Sequence, residues 1–279
     1  MAHEVKAIDN ASLPALRALI EREPIRHCFV ASRIEAGGRS FWKPSFPDIL
    51  GYFDDGHLKS ALLLGANVVP INTSQTARRE FADVLIRAGR RASSIVGPAE
   101  EALDLWDLVK GPWGTAREIR AQQPVLAMTE RSVVQPDDQV RYSTLADLDI
   151  LVPACVEMFT QEVGISPLVG GSANSYRTRI SELVSNRRSF IKRIDDTVVF
   201  KAEVGCVGGG VAQIQGVWVN PAFRAQGIAA PAMSTVVQRV IEDIAPTASL
   251  YVNDFNTPAL ALYKSVGFHQ VDTFATVLF

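Results

Sequence analysis

The chain has 279 residues, of which 47% are hydrophobic, which is long enough for about two domains that each bury a core. Its formal net charge of −2 provides no long-range attraction to nucleic acid phosphates or to an anionic membrane surface. The longest apolar stretch, residues 61–71, contains Gly65 and Asn67 and falls short of the roughly 20 residues of a membrane-spanning helix. Because the N-terminus also lacks the apolar block of a signal peptide, we expect a cytoplasmic protein whose partners include neither nucleic acid nor a membrane.

The cysteine pattern predicts neither a disulfide framework nor a metal site. Cys28, Cys155 and Cys206 are odd in number, lie far apart in the sequence and form no Cys-x-x-Cys pair. We expect all three to be buried apolar fillers in a reducing compartment.

Hydrophobic patterning predicts alternating strands and helices in the first half of the chain. The predicted elements are a long strand over 57–71, a helix over 78–88, a short strand over 94–96 and a helix over 100–109 that ends before Gly111-Pro112. A polar segment with turn residues, Gln135–Asp138, follows and marks the predicted domain boundary.

The second half is predicted to repeat this order at a spacing of about 150 residues. It has helices over 145–159 and 176–184, strands over 189–194, 198–204 and 211–219, a helix over 227–244, a strand over 249–252, a helix over 258–265 and a strand over 268–279. Gly208–Gly210 is read as a hairpin turn, because a strand and not a helix follows it. The shared order predicts two copies of one mixed α/β fold.

The segment Arg224–Ala229 (RAQGIA) has the properties of an anion site at the start of a helix. The first turn of a helix has N–H groups without internal partners, which coincide with the positive end of the helix dipole. Gly227 and Ala229 allow oxygens to approach the backbone, and Arg224 adds a cation. The alternative is an ordinary β-loop-α connection with an exposed arginine.

Further motifs surround this segment at a matching spacing. They are Val217–Pro221 (VWVNP) before it, Asn253 and Asn256 after the next strand, and Leu262–Phe268 (LYKSVGF). Together these residues resemble the GCN5-related N-acetyltransferases (GNAT), with an element order that matches from Tyr142 to the C-terminus. In the first half, Gly65-Ala66-Asn67 and Val96–Ala99 look like the uncharacterised N-terminal domain that is joined to such transferases in actinobacteria.

The resemblance implies an α/β fold with a mixed sheet and tandem GNAT-like domains. Residues 1–135 would form a degenerate GNAT-like domain and residues 136–279 the acetyltransferase domain. In this family two central parallel strands splay apart, and the pantetheine arm of acetyl-CoA lies between them. We expect coenzyme A to bind only the second half, because the corresponding loop of the first half, residues 72–79, has no glycine.

The resemblance implies a set of residues that bind the cosubstrate acetyl-CoA. Backbone groups near the strand end would contact the acetyl and pantetheine parts, and those of the loop and first helical turn would contact the pyrophosphate. The implied set is Val217, Trp218, Val219, Arg224, Ala225, Gln226, Gly227, Ile228, Ala229, Ala230, Asn253, Asn256 and Tyr263. Asn256 has an alternative role as a helix cap, since Thr257-Pro258 is a good helix start.

Tyr263 is the residue that the resemblance places beside the cofactor sulfur, where it would protonate the leaving thiolate. The alternative is a core tyrosine on an amphipathic helix. Many relatives place a glutamate base on the strand that here holds Gln213 and Gln215, so the sequence leaves Glu203 and Glu162 as the nearby carboxylates. We expect Glu203 to face either solvent or the acceptor cleft and to act as the base, and Glu162 to bind the amine. A water chain or an acceptor that is already deprotonated is the remaining possibility.

The predicted function is therefore transfer of an acetyl group from acetyl-CoA to a small-molecule or peptide amine by direct attack. One alternative is a regulatory or sensor protein that binds an acyl-CoA without turnover, which the missing strand glutamate permits. Another is transfer of a longer acyl chain. A homo-oligomer is possible.

Overall fold

The computed structural model describes residues 3–36 and 49–279. The elements of the first repeat are β1 (His3–Ala7), α1 (Leu13–Ile20), α2 (Pro24–Glu35), β2 (Ile49–Asp54), β3 (His57–Leu63), β4 (Asn67–Ile71), α3 (Gln75–Ala88), β5 (Ser94–Pro98), α4 (Ala99–Trp113) and β6 (Glu118–Met128). The elements of the second repeat are β7 (Arg141–Tyr142), α5 (Leu148–Val163), α6 (Ala173–Ser185), β8 (Ser189–Ile194), β9 (Thr197–Gly208), β10 (Val211–Val219), α7 (Ala229–Asp243), β11 (Thr247–Tyr251), α8 (Thr257–Val266) and β12 (His269–Leu278). Three 3-10 turns, Leu145–Asp147, Val169–Gly171 and Pro221–Phe223, lie in the second repeat.

Both repeats follow one order of strand, two helices, three strands, helix, strand, helix and strand, which confirms the predicted tandem α/β architecture. The predicted single strand over 57–71 is wrong. It is the antiparallel hairpin β3–β4, whose pairing joins Leu63 to Val69. Gly65 and Ala66 lie between the two strands, and their lack of bulk suits a turn better than the middle of a long strand.

Helix α4 continues through Gly111-Pro112 to Trp113, beyond its predicted end. The Trp113 indole is buried and packs edge-on against Phe279, with 5.5 Å between ring centroids. Its Nε1 also donates to the carbonyl of Leu85. Burial of this large aromatic side chain offsets the unfavourable proline and glycine in the last helical turn.

The two repeats exchange their last strands within one twelve-stranded sheet. The strand order is β1-β2-β3-β4-β5-β12-β6-β11-β10-β9-β8-β7. Strand β12, the last of the second repeat, pairs antiparallel with β5 of the first repeat, and β6 pairs antiparallel with β11 of the second. The two exchanged strands pair with each other at the centre. The predicted division at residue 135 thus separates two sequence repeats that depend on each other for a complete sheet.

Helices cover both faces of the sheet in each repeat. In the second repeat α7 and α8 pack on one face with Phe200, Ala202 and Val204, whereas α5 and α6 pack on the other with Val198 and Trp218. Phe200, Ala202 and Val204 share a face through the two-residue period of a strand, and an irregularity in the pairing of β8 with β9 between Val198 and Phe200 places Val198 on the opposite face. Within the described parts of the chain, no helix combines the length and apolarity needed to cross a bilayer.

The three cysteines are buried free thiols, as their composition predicted, but two of them meet across the repeats. The sulfur of Cys28 on α2 lies 3.6 Å from that of Cys206 on β9, and it also donates to the carbonyl of Val211. Helix α2 of the first repeat therefore packs on the β9–β10 hairpin of the second.

Candidate functional site

Strands β10 and β11 part at the centre of the second repeat. Their parallel pairing joins Val211 to Thr247 and ends with Gln213 opposite Ser249. Strand β10 nevertheless remains paired to β9 as far as Val219, with a bulge that contains Gly216 in a left-handed conformation (φ 57°). Among the described residues, no strand pairs with the other edge of β10 beyond Gln213, so its backbone groups there face a gap.

The loop after β10 presents a row of backbone N–H groups at the start of α7. Ala225 and Gly227 both have left-handed backbones, with φ of 59° and 75°. Within 3–36 and 49–279, no acceptor meets the N–H groups of residues 225–230. A Cβ at Gly227 would have nothing within 4 Å, so the backbone there is open to a ligand. The loop therefore fits a pyrophosphate, because the unpaired amides and the helix dipole both favour an anion.

The Arg224 side chain is held across the entrance to this loop. Its Nε donates to the carbonyl of Val219 (3.1 Å), and Nη2 donates to Oε1 of Gln161 at the end of α5 (2.9 Å). Both partners are neutral, so the guanidinium charge is not compensated by either contact. Arg224 therefore remains the cation that the sequence predicts for an anion at this loop.

The predicted residues at the end of β10 differ in where their side chains lie. Val217 and Val219 pack on the core under α7 and α8, whereas Trp218 is buried on the opposite face near Met158. Its Nε1 has no hydrogen-bond partner within the described parts of the chain. Any contact of Trp218 with a ligand in the gap is therefore limited to its backbone.

Asn253 and Asn256 lie in the segment between β11 and α8. The Oδ1 atom of Asn256 accepts a hydrogen bond from the backbone N–H of Ala259 at 3.3 Å, so this residue caps α8, as the alternative interpretation predicted. Asn253 accepts a hydrogen bond from Nε2 of Gln123 at 2.8 Å. Gln123 belongs to the exchanged strand β6, and no sequence pattern linked it to this segment.

Tyr263 is buried in α8, and its ring packs edge-on against Phe268, with 5.9 Å between the centroids. Its hydroxyl meets no hydrogen-bond partner among residues 3–36 and 49–279. Burial, followed by the negative charge of Glu162, raises the pKa of this phenol well above its usual value. Tyr263 is therefore protonated at neutral pH and able to donate.

Glu162 lies near the C-terminal end of α5. Its side chain is exposed to solvent, but the protein atoms around it displace part of its hydration, and this partial desolvation raises the pKa of its carboxyl. Arg120 and Lys201 oppose this increase. The charge of Glu162 in turn contributes to the raised pKa values of Tyr263 and Tyr251, the latter reaching about 12 mainly through burial. These groups thus lie close enough to influence one another electrostatically.

Glu203 faces neither solvent nor an open cleft, which corrects the sequence-based expectation. It is 4% exposed and accepts hydrogen bonds from Gln215 Nε2 (2.7 Å), Lys201 Nζ (3.2 Å) and Arg179 Nη2 (3.4 Å). Burial alone raises the pKa of this carboxyl, but Lys201 and Arg179, with the Gln215 hydrogen bond, hold it below its usual range. A carboxylate with three donors and a lowered pKa is a poor proton acceptor, which argues against the predicted role as base.

Lys201, like Arg179, is a member of this cluster that the sequence analysis missed. It is 1% exposed, and its Nζ also lies 3.4 Å from the sulfur of Cys155. A Cβ on Gly216 would approach that Nζ to 3.1 Å, so the buried ion pair lies directly under the bulge of β10. The sequence did offer a signal for this ion pair: Lys201 and Glu203 lie two residues apart, and thus on one face, in an otherwise apolar strand.

The corresponding site of the first repeat is closed by its own side chains. Strands β4 and β5 also part early, but a Cβ on Gly97 would lie 3.2 Å from the ring of Pro70, which fills the gap. The Ser74 side chain caps the third residue of α3, and Glu101 accepts hydrogen bonds from the N–H and hydroxyl of Thr73, both at 2.6 Å. A carboxylate therefore occupies the place where an anion would bind.

Two family models match parts of this chain. Residues 47–151 match the family model of a domain of unknown function, DUF4081, and residues 176–268 match that of the acetyltransferase (GNAT) family. Among curated proteins none matches the sequence.

Three solved structures share the fold at low identity. A GCN5-related N-acetyltransferase from Sphaerobacter thermophilus has a TM-score of 0.62 at 14% identity, with 99% of this chain and 95% of that chain covered. A GNAT-family acetyltransferase from Colwellia psychrerythraea has a TM-score of 0.58 at 12% identity, with 99% of each chain covered. A tandem GNAT protein from the clavulanic acid biosynthesis pathway has a TM-score of 0.55 at 11% identity, with coverage of 99% of this chain and 98% of that chain.

The family match also establishes the reaction class, an acyltransferase that uses acetyl-CoA. It gives no support to the alternative of a regulatory protein without turnover. The first repeat thus matches DUF4081, the second matches the acetyltransferase (GNAT) family, and the chain shares the fold of a tandem GNAT protein.

Proposed function

We propose that the second repeat transfers the acetyl group of acetyl-CoA to an amine acceptor, a small molecule or a peptide, by direct attack. One observation carries the proposal: the pairing of β10 with β11 ends at Gln213, and the gap leads to the unpaired amides of residues 225–230. The gap suits the amide-rich pantetheine arm and the amides suit the pyrophosphate. The closed site of the first repeat supports a single site per chain.

The backbone of β10 would stabilise charge on the thioester. The N–H groups near Val217 and Val219 lie at the splayed edge, and a fixed N–H aimed at a carbonyl also stabilises the oxyanion that forms when the amine attacks. The bulge at Gly216 sets their direction, since it interrupts the pairing of β10 with β9 between Gln215 and Trp218. The buried Lys201–Glu203 pair supports the bulge from below.

Glu162 is the carboxylate best placed to accept the proton of the amine. An amine must be neutral to attack, and a base whose pKa is raised toward neutrality accepts a proton more readily than one whose pKa is lowered. Burial raises the pKa of Glu162, and its charge reaches Tyr263. We therefore assign the base to Glu162 and not to Glu203. Tyr263, protonated at neutral pH, donates to the departing thiolate.

Calorimetry with acetyl-CoA and turnover by amines test the proposal on the full chain, which is needed because β6 completes the sheet of the second repeat. We expect one acetyl-CoA per chain. A panel of polyamines, amino sugars, arylamines and peptides with free N-termini is then assayed for released thiol.

With the best amine of that panel, Glu162→Gln should lower kcat by roughly 100-fold or more and abolish the acidic limb of the pH profile. The matched control is Glu157→Gln, an exposed position on the same helix, which should behave as wild type. A second bound acetyl-CoA, or a Glu162→Gln variant with unaltered kinetics, would contradict the proposal.

A further inference from the structure

The exchanged strand β6 brings side chains of the first repeat to the site of the second. It lies between β11 and β12, and it pairs with β11 over Val125–Met128. Two of its polar side chains, Arg120 and Gln123, contact second-repeat segments beside the gap. The position of this strand raises the question of what it contributes to the reaction.

Arg120 is fixed at the end of helix α5. Its side chain is 11% exposed, and Nε donates to Oε1 of Glu118 at 2.8 Å. Nη2 donates to the backbone carbonyl of Glu162 at 3.0 Å. That carbonyl is one of the last four of α5, which have no partner within the helix, and a cation at this end also interacts favourably with the helix dipole.

We propose that Arg120 is a positioning residue of the acetyl transfer, which holds the end of α5 so that the Glu162 carboxyl stays beside the gap between β10 and β11. The inference rests on the proposed role of Glu162 as the base. It gives the first repeat a function in catalysis: a strand encoded there holds the base of the other repeat.

The charges around Glu162 agree with this role. Arg120 faces it from β6, Lys201 and Glu203 from β9, Tyr251 from β11 and Tyr263 from α8. Of these, Arg120 is the leading influence that lowers the pKa of Glu162 against the effect of burial. Loss of Arg120 should therefore raise this pKa and leave more of the base protonated at neutral pH.

Gln123 shows that the same strand also supports the other side of the site. Its Nε2 donates to Asn253 at 2.8 Å, and its Oε1 accepts from the hydroxyl of Thr276 at 2.6 Å. The amide is buried, so each of these contacts contributes to the position of the Asn253 segment. Strand β6 thus touches both the end of α5 and the segment that leads to α8.

The test compares Arg120→Gln with Arg120→Lys and with Arg117→Gln, an exposed arginine just before the same strand. Full-length protein carrying ¹³C-labelled glutamate carboxyls is titrated by NMR, and Glu162→Gln identifies the Glu162 signal. Kinetics use acetyl-CoA and the best amine of the panel, and thermal unfolding reports whether each variant is folded.

We expect Arg120→Gln to raise the pKa of Glu162 and to move the acidic limb of kcat/KM to higher pH. It should also lower kcat by roughly 10- to 100-fold, at a nearly unchanged KM for acetyl-CoA. Arg120→Lys should recover part of the loss, and Arg117→Gln should match wild type. A folded Arg120→Gln variant with an unmoved Glu162 titration and acidic limb would overturn the inference while leaving the proposed base intact. If Glu162→Gln itself leaves the kinetics unaltered, the proposed base and this inference both fail.

Discussion

Replacing Lys201 by methionine should destabilise the protein by about 3 kcal/mol, at the lower end of the cost of breaking a buried ion pair. The substitution preserves length and apolar bulk but leaves Glu203 without its nearest cation, at a site where the two residues are 1% and 4% exposed. Glu203 keeps its hydrogen bonds from Gln215 and Arg179, and for this reason the lower end is expected. Replacing both members of the pair by methionine should recover most of the loss, because an apolar pair of similar volume has no charge to desolvate.

Urea unfolding of the full chain measures this effect, with a fall in Tm of roughly 6 °C or more as a second observable. The matched control is Lys110→Met, whose lysine is 55% exposed beside Asp107 and should contribute less than about 1 kcal/mol. A Lys201→Met variant within about 1 kcal/mol of wild type would refute the argument that burial makes this pair costly to break.

The pH dependence supplies an independent check. The pKa of Glu203 is lowered in the folded state, so its stabilisation is present above the ordinary value of 4.5 and is lost as the pH falls below it. The pKa of Lys201 is raised, so its contribution is present below 10.5 and is lost as the pH rises beyond that value. The free energy of unfolding of the wild type should therefore decrease both below pH 4.5 and above pH 10.5. The decrease at acidic pH should be smaller in Lys201→Met.

Three further substitutions test the geometry of the site. Gly227→Glu should weaken coenzyme A binding by about 4 kcal/mol in calorimetry, because the new carboxylate meets the negative pyrophosphate at the helix terminus. The control Gly56→Glu, at an equally open left-handed glycine (φ 78°), should bind coenzyme A normally. Equal losses of affinity in both variants would remove the charge argument. Tyr263→Phe should lower kcat by roughly 100-fold and leave acetyl-CoA affinity nearly intact, whereas wild-type turnover would make this tyrosine a core residue only. Gly205→Ala should lower the free energy of unfolding in urea by about 1–3 kcal/mol, because the new methyl group would overlap the Gln215 side chain and break its hydrogen bond to Glu203. An unchanged stability would show that the Gln215 side chain can move without loss.

Much of the fold could be predicted from local pattern. The strand Val211–Val219 has its predicted bounds, and Gly267, a residue type suited to a left-handed helix end, terminates α8. Such features depend on periodicity and on backbone conformations that few residues adopt, so they are visible along the chain. The hairpin at Gly65-Ala66 was missed because the residues on both sides of it continue one apolar pattern.

The candidate site was predictable where backbone groups form it and much less so where side chains do. The loop before α7 has the small residues that an open row of amides requires, and the structure leaves those amides unpaired. Glu203 could not be placed from the sequence, because strand alternation assigns it a face of the sheet but not the partners on that face. Lys201 lies on the same face only two residues away, and it converts a candidate base into a buried ion pair.

What the sequence by itself determined is the order of the repeats, the loop of small residues before α7 and the resemblance of the second repeat to the acetyltransferases, because each depends on residues close together in the chain. Only the tertiary structure decided that β6 and β12 exchange places. The alternating apolar residues of β6 and β12 would pack equally well beside either repeat. Each repeat offers an unpaired strand edge next to its parallel pair, β4–β5 in the first and β10–β11 in the second. That exchange, and with it the contact between Arg120 and the end of α5, depends on long-range packing that no local pattern records.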